Sequence, residues 1–195
     1  MSTMFDFDDC HGSVPAHQHP NGGGWVADTA YVAETAYVGP DARVSDKARV
    51  FGDAEVSGNA WVAGNAQVFD RAWVSGNARV SGWTMVYGNA RVSGKTMVYG
   101  KARVFGNAEV SGDAWVYDYA RVSGDAQVFG GRVFGDARVS GNAQVSDLAW
   151  VFGNARVFGN ARVLDNARVF DDARVFGSAR VSDNAEVSGN AWVFE

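Results

Sequence analysis

Leucine and isoleucine are almost missing from this 195-residue chain, and Leu148 and Leu164 are the only leucines. An irregular core needs large side chains of mixed shape to interdigitate, so that kind of core is excluded. Valine and alanine take their place, and an interior of two sizes must repeat one packing solution. Cysteine occurs once, as Cys10, which rules out an internal disulfide and points to a reducing compartment, the cytoplasm. No apolar run is long enough to cross a bilayer as a helix. The N-terminus lacks a basic region followed by an apolar stretch, so no signal peptide is expected. Positive charge is not in excess: 17 Lys and Arg against 22 Asp and Glu give a net charge of −5. That balance argues against direct nucleic-acid binding and against extreme acidic mimicry. At this length one domain with a substantial core is expected.

What the chain has instead is a period. Valine recurs every six residues from Val26 to Val128, then again from Val133 to Val193, and two residues before nearly every valine stands alanine. Thr84, Thr96, Gly24 and Gly131 are the small substitutes. The unit reads A-x-V-x-G-[N/D]. Its alternation predicts a short strand with Ala and Val inward and their neighbours outward. Gly followed by Asn or Asp predicts a corner, since both tolerate left-handed backbone. Such units are too short for useful hairpins, but three close a triangle, and triangles stack about 4.8 Å apart. The spacing falls to five between Val128 and Val133. There the Gly130-Gly131 pair is expected to shorten one corner and leave the inward face in phase. A local copy is also visible: WTMVYGNARVSG is followed by KTMVYGKARVFG.

With an aliphatic residue every six and a small residue two before it, residues 25–194 resemble the hexapeptide-repeat family. That resemblance implies a left-handed triangular parallel β-helix of about ten coils of three hexapeptides. Units such as GNARVSGNA are especially similar to bacterial and phage proteins labelled acyltransferases. It divides the chain into an N-terminal cap or extension, 1–24, and a β-helix, 25–195. Acyltransferases of this kind use a histidine as general base near a protruding loop, and carbonic-anhydrase-like members hold zinc with three histidines on the coils. Here the three histidines, His11, His17 and His19, all precede the first repeat, and no insertion is long enough to form a substrate arm. No catalytic residue or cofactor therefore carries over.

Dealing the units onto three faces converts the sequence into columns. Just before the valines, the first face alternates Trp and Arg, from Trp25, Arg43, Trp61 and Arg79 on to Trp115, Arg132, Trp150 and Arg168, a spacing suited to cation–π stacking. The second face carries Arg103, Arg121, Arg138, Arg156 and Arg174 on consecutive coils. Like charges on neighbouring strands oppose one another, so this column calls for corner acids such as Asp118, Asp136 and Asp172, or for an outside anion. Just after the valines, the first face runs Tyr99, Tyr117, Phe134, Phe152, Phe170. The second has Phe51, Phe69, Tyr87, Phe105, then serines, then Phe158, Phe176 and Phe194, and the third is nearly all serine.

Exposed aromatic columns mark an interaction surface, although ladders that merely stiffen each sheet are the plainer reading. The expected function is a non-enzymatic scaffold that uses the Tyr/Phe column and the Arg column to associate with itself or with a protein partner. A hexapeptide-type acyltransferase relative is the runner-up. A phage or mobile-element inhibitor of a nucleic-acid-handling protein is the third reading. Cys10, His11, His17 and His19 are the right types for zinc, but the adjacent Cys–His pair and the His-x-His spacing are common without metal, and the cap reading outranks it. The final repeat ends at Val193 with no capping helix, which leaves backbone groups open for pairing with another copy.

Overall fold

The computed structural model describes residues 3–10 and 12–195. Among these it contains 31 strands and no helix. The strands form three sheets of twelve, ten and nine, and every third strand in sequence neighbours the next within a sheet. Apart from the first two, all strands pair in parallel, so the body is a parallel β-solenoid. It makes nine complete coils plus two strands of a tenth, slightly short of the ten that the repeat count suggests. Pairing is strictly in register: Val80 faces Val98, Val98 faces Val116, and each outward residue faces its equivalent 18 positions away, or 17 across the short corner.

The interior follows directly from the repeat. Valines from Val38 to Val175 are fully buried, and the alanines between them are buried with them. Each valine fills the middle of a side and each alanine lies next to a corner. Two alanine positions hold threonine. The Thr96 hydroxyl donates to the Ser93 carbonyl, whereas the buried Thr84 Oγ1 has no hydrogen-bond partner.

The corners refine the expectation. From the second coil on, only the first corner residue is left-handed, and it is Gly or Asp: Gly58 has φ +60°, Asp46 +58°, Asp118 +58° and Asp171 +57°. The second corner residue, usually Asn or Asp, does not share that conformation. A Cβ is strained at such φ values, and at Gly82 it would also stand 2.7 Å from the Gly100 carbonyl oxygen. Aspartate offsets the strain with a hydrogen bond from the next coil. The Asp46 carboxylate accepts from the Gly64 amide at 2.8 Å, Asp70 from Gly88 at 3.1 Å and Asp171 from Gly189 at 3.1 Å. At the second corner position side-chain amides form ladders, as from Asn89 to Asn107 and from Asn107 to Asp125.

At the short corner Gly130 keeps the left-handed role with φ +78°, and Gly131 moves straight into the alanine position. The residue left out is the second corner residue. A Cβ on Gly131 would lie 2.8 Å from Val145 Cγ1, which is why alanine cannot stand there. Phase is kept: Arg132 and Val133 pair with Trp115 and Val116 on one side and with Trp150 and Val151 on the other.

Before the coils, β1 (Thr3–Asp6) pairs antiparallel with β2 (Ser13–Gln18), and β2 pairs antiparallel with β3 (Trp25–Ala27), the first solenoid strand. Phe7, Ala16 and Ala27 form a small buried cluster there, and Phe5 stacks on Trp25 at 4.2 Å. At the other end Ala185 and Ala191 are exposed, so the interior of the last coil is open.

The two threonines make a matched pair for measurement. Thr96→Ala should cost about 1 kcal/mol by giving up its hydrogen bond, whereas Thr84→Ala, which removes an orphaned hydroxyl, should match or exceed the parent in stability. Urea unfolding of the two variants checks this, and equal losses would contradict it.

Candidate interaction surface

Because the coils are in register, each outward position becomes a straight column. The first sheet brings Tyr99, Tyr117, Phe134, Phe152 and Phe170 into one stack with ring centroids 4.8–4.9 Å apart and nearly parallel planes. The second sheet does the same for Phe51, Phe69, Tyr87 and Phe105, and again for Phe158 and Phe176. The columns are therefore where the sequence places them. Their faces, however, are turned on one another, the rings are half-buried, and what they offer outward is mostly ring edge. Each stacked pair contributes about 0.5–1.5 kcal/mol beyond its buried area, so the ladders stabilise the sheets whatever else they do.

Burial raises the ionisation range of Tyr99 and Tyr117. For Tyr99 the Asp118 carboxylate adds to the rise and Arg132 partly opposes it, while for Tyr117 both Tyr99 and Asp118 add to it. The neutral form is thus favoured in the folded protein. The stability linked to these groups is fully present below pH 10 and is lost as pH climbs through their raised range. In a spectrophotometric titration Asp118→Asn should bring both tyrosines down. A titration curve unmoved by that change would count against the assignment.

Beside this ladder the Trp/Arg column forms the expected cation–π contacts. Arg132 lies 5.0 Å from the ring centres of both Trp115 and Trp150, Arg168 lies 5.3 Å from Trp150, and Arg79 lies 5.7 Å from Trp61. Arg43 departs from the pattern and turns to the cap, where it donates to the Phe7 carbonyl and pairs with Asp8. Tryptophans also lean over the preceding coil. Trp61 Nε1 donates to Ser45 at 2.9 Å and Trp73 Nε1 to Ser57 at 3.2 Å, contacts that period counting alone does not reveal.

The arginine column of the second sheet behaves differently. Arg103, Arg121, Arg138, Arg156 and Arg174 pair strand to strand in unbroken register. Arg174 lies 5.0 Å from the Trp192 ring. Among the described residues the other four have neither a carboxylate nor an aromatic partner, and the corner acids do not neutralise them. Asp118 accepts instead from the Gly135 amide and Asp172 from the Asn154 side chain. Beside the column Ser123 and Ser140 interrupt the aromatic ladder, so the guanidinium groups stand next to a low, polar stretch of sheet. At about 4.8 Å spacing each neighbouring pair repels by roughly 0.9 kcal/mol in water. The third sheet carries the serines, broken by Phe129 at the short coil and by Leu164, and Phe129 is 60 % exposed.

The N-terminal metal reading finds no assembled site. His17 donates to Asp28 at 2.9 Å, and His19 is buried with Nε2 donating to the Ala36 carbonyl at 3.0 Å. Cys10 is exposed, and His11 lies outside the described residues. No group of three His, Cys, Asp or Glu among the described residues is placed to hold a metal ion. Nor, among those residues, is any helix long and apolar enough to cross a membrane.

Three stretches match a family model. Residues 86–100, 132–147 and 167–182 are similar to the YdcK beta solenoid repeat. The matched stretches lie within the coils and agree with the architecture seen here. No curated protein matches the chain, so the resemblance to acyltransferases gains no support from that side.

Proposed function

We propose that the protein is a rigid, non-enzymatic scaffold that docks an acidic protein surface along the second sheet. The observation that carries this reading is the in-register column Arg103, Arg121, Arg138 and Arg156, unpaired on a chain whose net charge is −5. A chain with more acid than base leaves one basic stripe open, with Asp118 and Asp172 bonded elsewhere. A partner that lays carboxylates along the stripe relieves the repulsion between rungs and forms charge-assisted, bidentate contacts. Arginine suits this role because its planar fork needs little reorganisation on binding. The stacked rings on either side supply a stiff support, and their edges provide the apolar margin of the contact. A second copy of the chain, itself acidic, qualifies as the partner, and that makes self-association part of this reading. The cytoplasm is the compartment that fits the single cysteine.

The double variant Arg138→Glu/Arg156→Glu should fold normally and lose at least tenfold in affinity for an immobilised acidic peptide such as oligoglutamate, and for any partner captured from extract. Salt near 0.5 M should weaken the parent's binding in the same direction. If the partner is another copy, light scattering should show a species heavier than 20.8 kDa that the double variant lacks. Binding that ignores both charge reversal and salt would sink the proposal. Saturable uptake of acetyl-CoA would favour an enzyme instead.

A further inference from the structure

The aromatic stack of the first sheet starts abruptly. Tyr99 has Tyr117 against one face of its ring, but on the coil before it the same column holds Ser81, and on the coil before that Ala63. The next ring in that direction is the Trp61 indole, which is turned away to bond Ser45. Ser45 and Ala63 are buried, with the indole reaching over to Ser45, so one rung of the ladder, at Ser81, is open between two aromatic walls. The gap is a cavity of about 350 Å³, lined by Trp61, Ala63, Arg79, Ser81, Met97 and Tyr99. Its floor is small side chains, its ends are aromatic, and Met97 provides a soft apolar flank suited to ring contacts. On the remaining side stands Arg79, exposed and without a carboxylate partner among the described residues.

We infer that this gap is a binding site for a planar aromatic anion, whose ring takes the vacant rung against Tyr99 and whose acid group meets Arg79. The continuity of the stack specifies the ring: the rungs beyond Tyr99 are themselves tyrosine and phenylalanine rings at 4.8–4.9 Å, and a flat ligand continues that series. The guanidinium specifies the charge, since it is the cationic group of the lining and has a planar fork matched to a carboxylate. An aliphatic acid would satisfy Arg79 and leave the Tyr99 face unstacked. A neutral ring would do the reverse. The site lies on the first sheet and is independent of the arginine stripe of the second.

Calorimetric titration with 2-naphthoate tests the assignment. The parent should show saturable one-to-one binding below about 1 mM, with cyclohexanecarboxylate and 2-naphthalenemethanol each at least about tenfold weaker. Ser81→Tyr, which supplies the missing rung from within, should abolish binding and leave oligoglutamate capture by the second sheet unchanged. Arg79→Gln, at an exposed position where folding is safe, should weaken naphthoate about tenfold even if the tyrosine variant does not fold. The inference is overturned by a parent titration that stays linear to 1 mM, or by cyclohexanecarboxylate binding as tightly as naphthoate. It is equally overturned if Arg79→Gln binds like the parent, or if a folded Ser81→Tyr protein keeps its affinity, which would place the ligand elsewhere, for instance beside Ser123 and Ser140.

Discussion

The close approach of one coil's corner to the next governs everything else in the molecule. At Gly58, Gly124 and Gly141 an added Cβ would stand about 3 Å from backbone atoms of the residue 17 or 18 positions on, so beyond the first coil the corners stack by turning alike. That demand is met by glycine, or by aspartate with a carboxylate that accepts from the next coil's amide. Once the corners coincide the strands are in register, the valines meet valines, and the outer side chains have no choice but to line up. Ladders of rings, amides and guanidinium groups are the result of that alignment.

Alignment makes some columns stabilising and others costly. Rings and side-chain amides gain by facing copies of themselves, because a stacked ring or an amide hydrogen bond is satisfied by its own kind. Guanidinium groups are not. The first sheet resolves the conflict by never setting two arginines on neighbouring coils: Arg132 sits between two rings, Arg79 and Arg168 each meet one, and Arg43 pairs with Asp8. The second sheet does not alternate, and its arginines repel from rung to rung. A chain able to build the alternating solution on one side has left the other unresolved, which is why the functional reading rests on the second sheet.

Much of this was legible from period alone. The inward valines and alanines, the three faces, the columns from Tyr99 to Phe170 and from Arg103 to Arg174, and the phase-keeping role of Gly130 and Gly131 all follow from counting in sixes and dealing by three. What counting misses is what a side chain does after it leaves the backbone. Asp118 was available by spacing to neutralise the arginine column, yet its left-handed conformation aims the carboxylate at the Gly135 amide. The ladder rings face each other, so a column of Phe and Tyr hides most of the apolar surface its composition suggests. Trp61 and Trp73 reach across to serines one coil back, a contact at a separation of 16 residues that no six-residue template contains. His17 and His19 share a motif but sit in different surroundings, one half-exposed beside Asp28 and the other buried under Ala36.

The tandem copy at residues 83–106 has a geometric consequence. Twelve residues are two-thirds of a coil, so a copy of that length rotates everything after it by two faces. Excising 95–106 on paper carries Tyr117, Phe134, Phe152 and Phe170 from the first sheet to the second, directly in line behind Phe51, Phe69 and Tyr87. It also sets Ser123 and Ser140 behind Ser57, Ser75 and Ser93. The two aromatic ladders are then halves of a single one, cut and offset by the copy. The open face of Tyr99 is one side of that cut. In a solenoid, duplication by anything other than whole coils acts as a twist, and a twist of this kind can create a cavity without altering a single side chain.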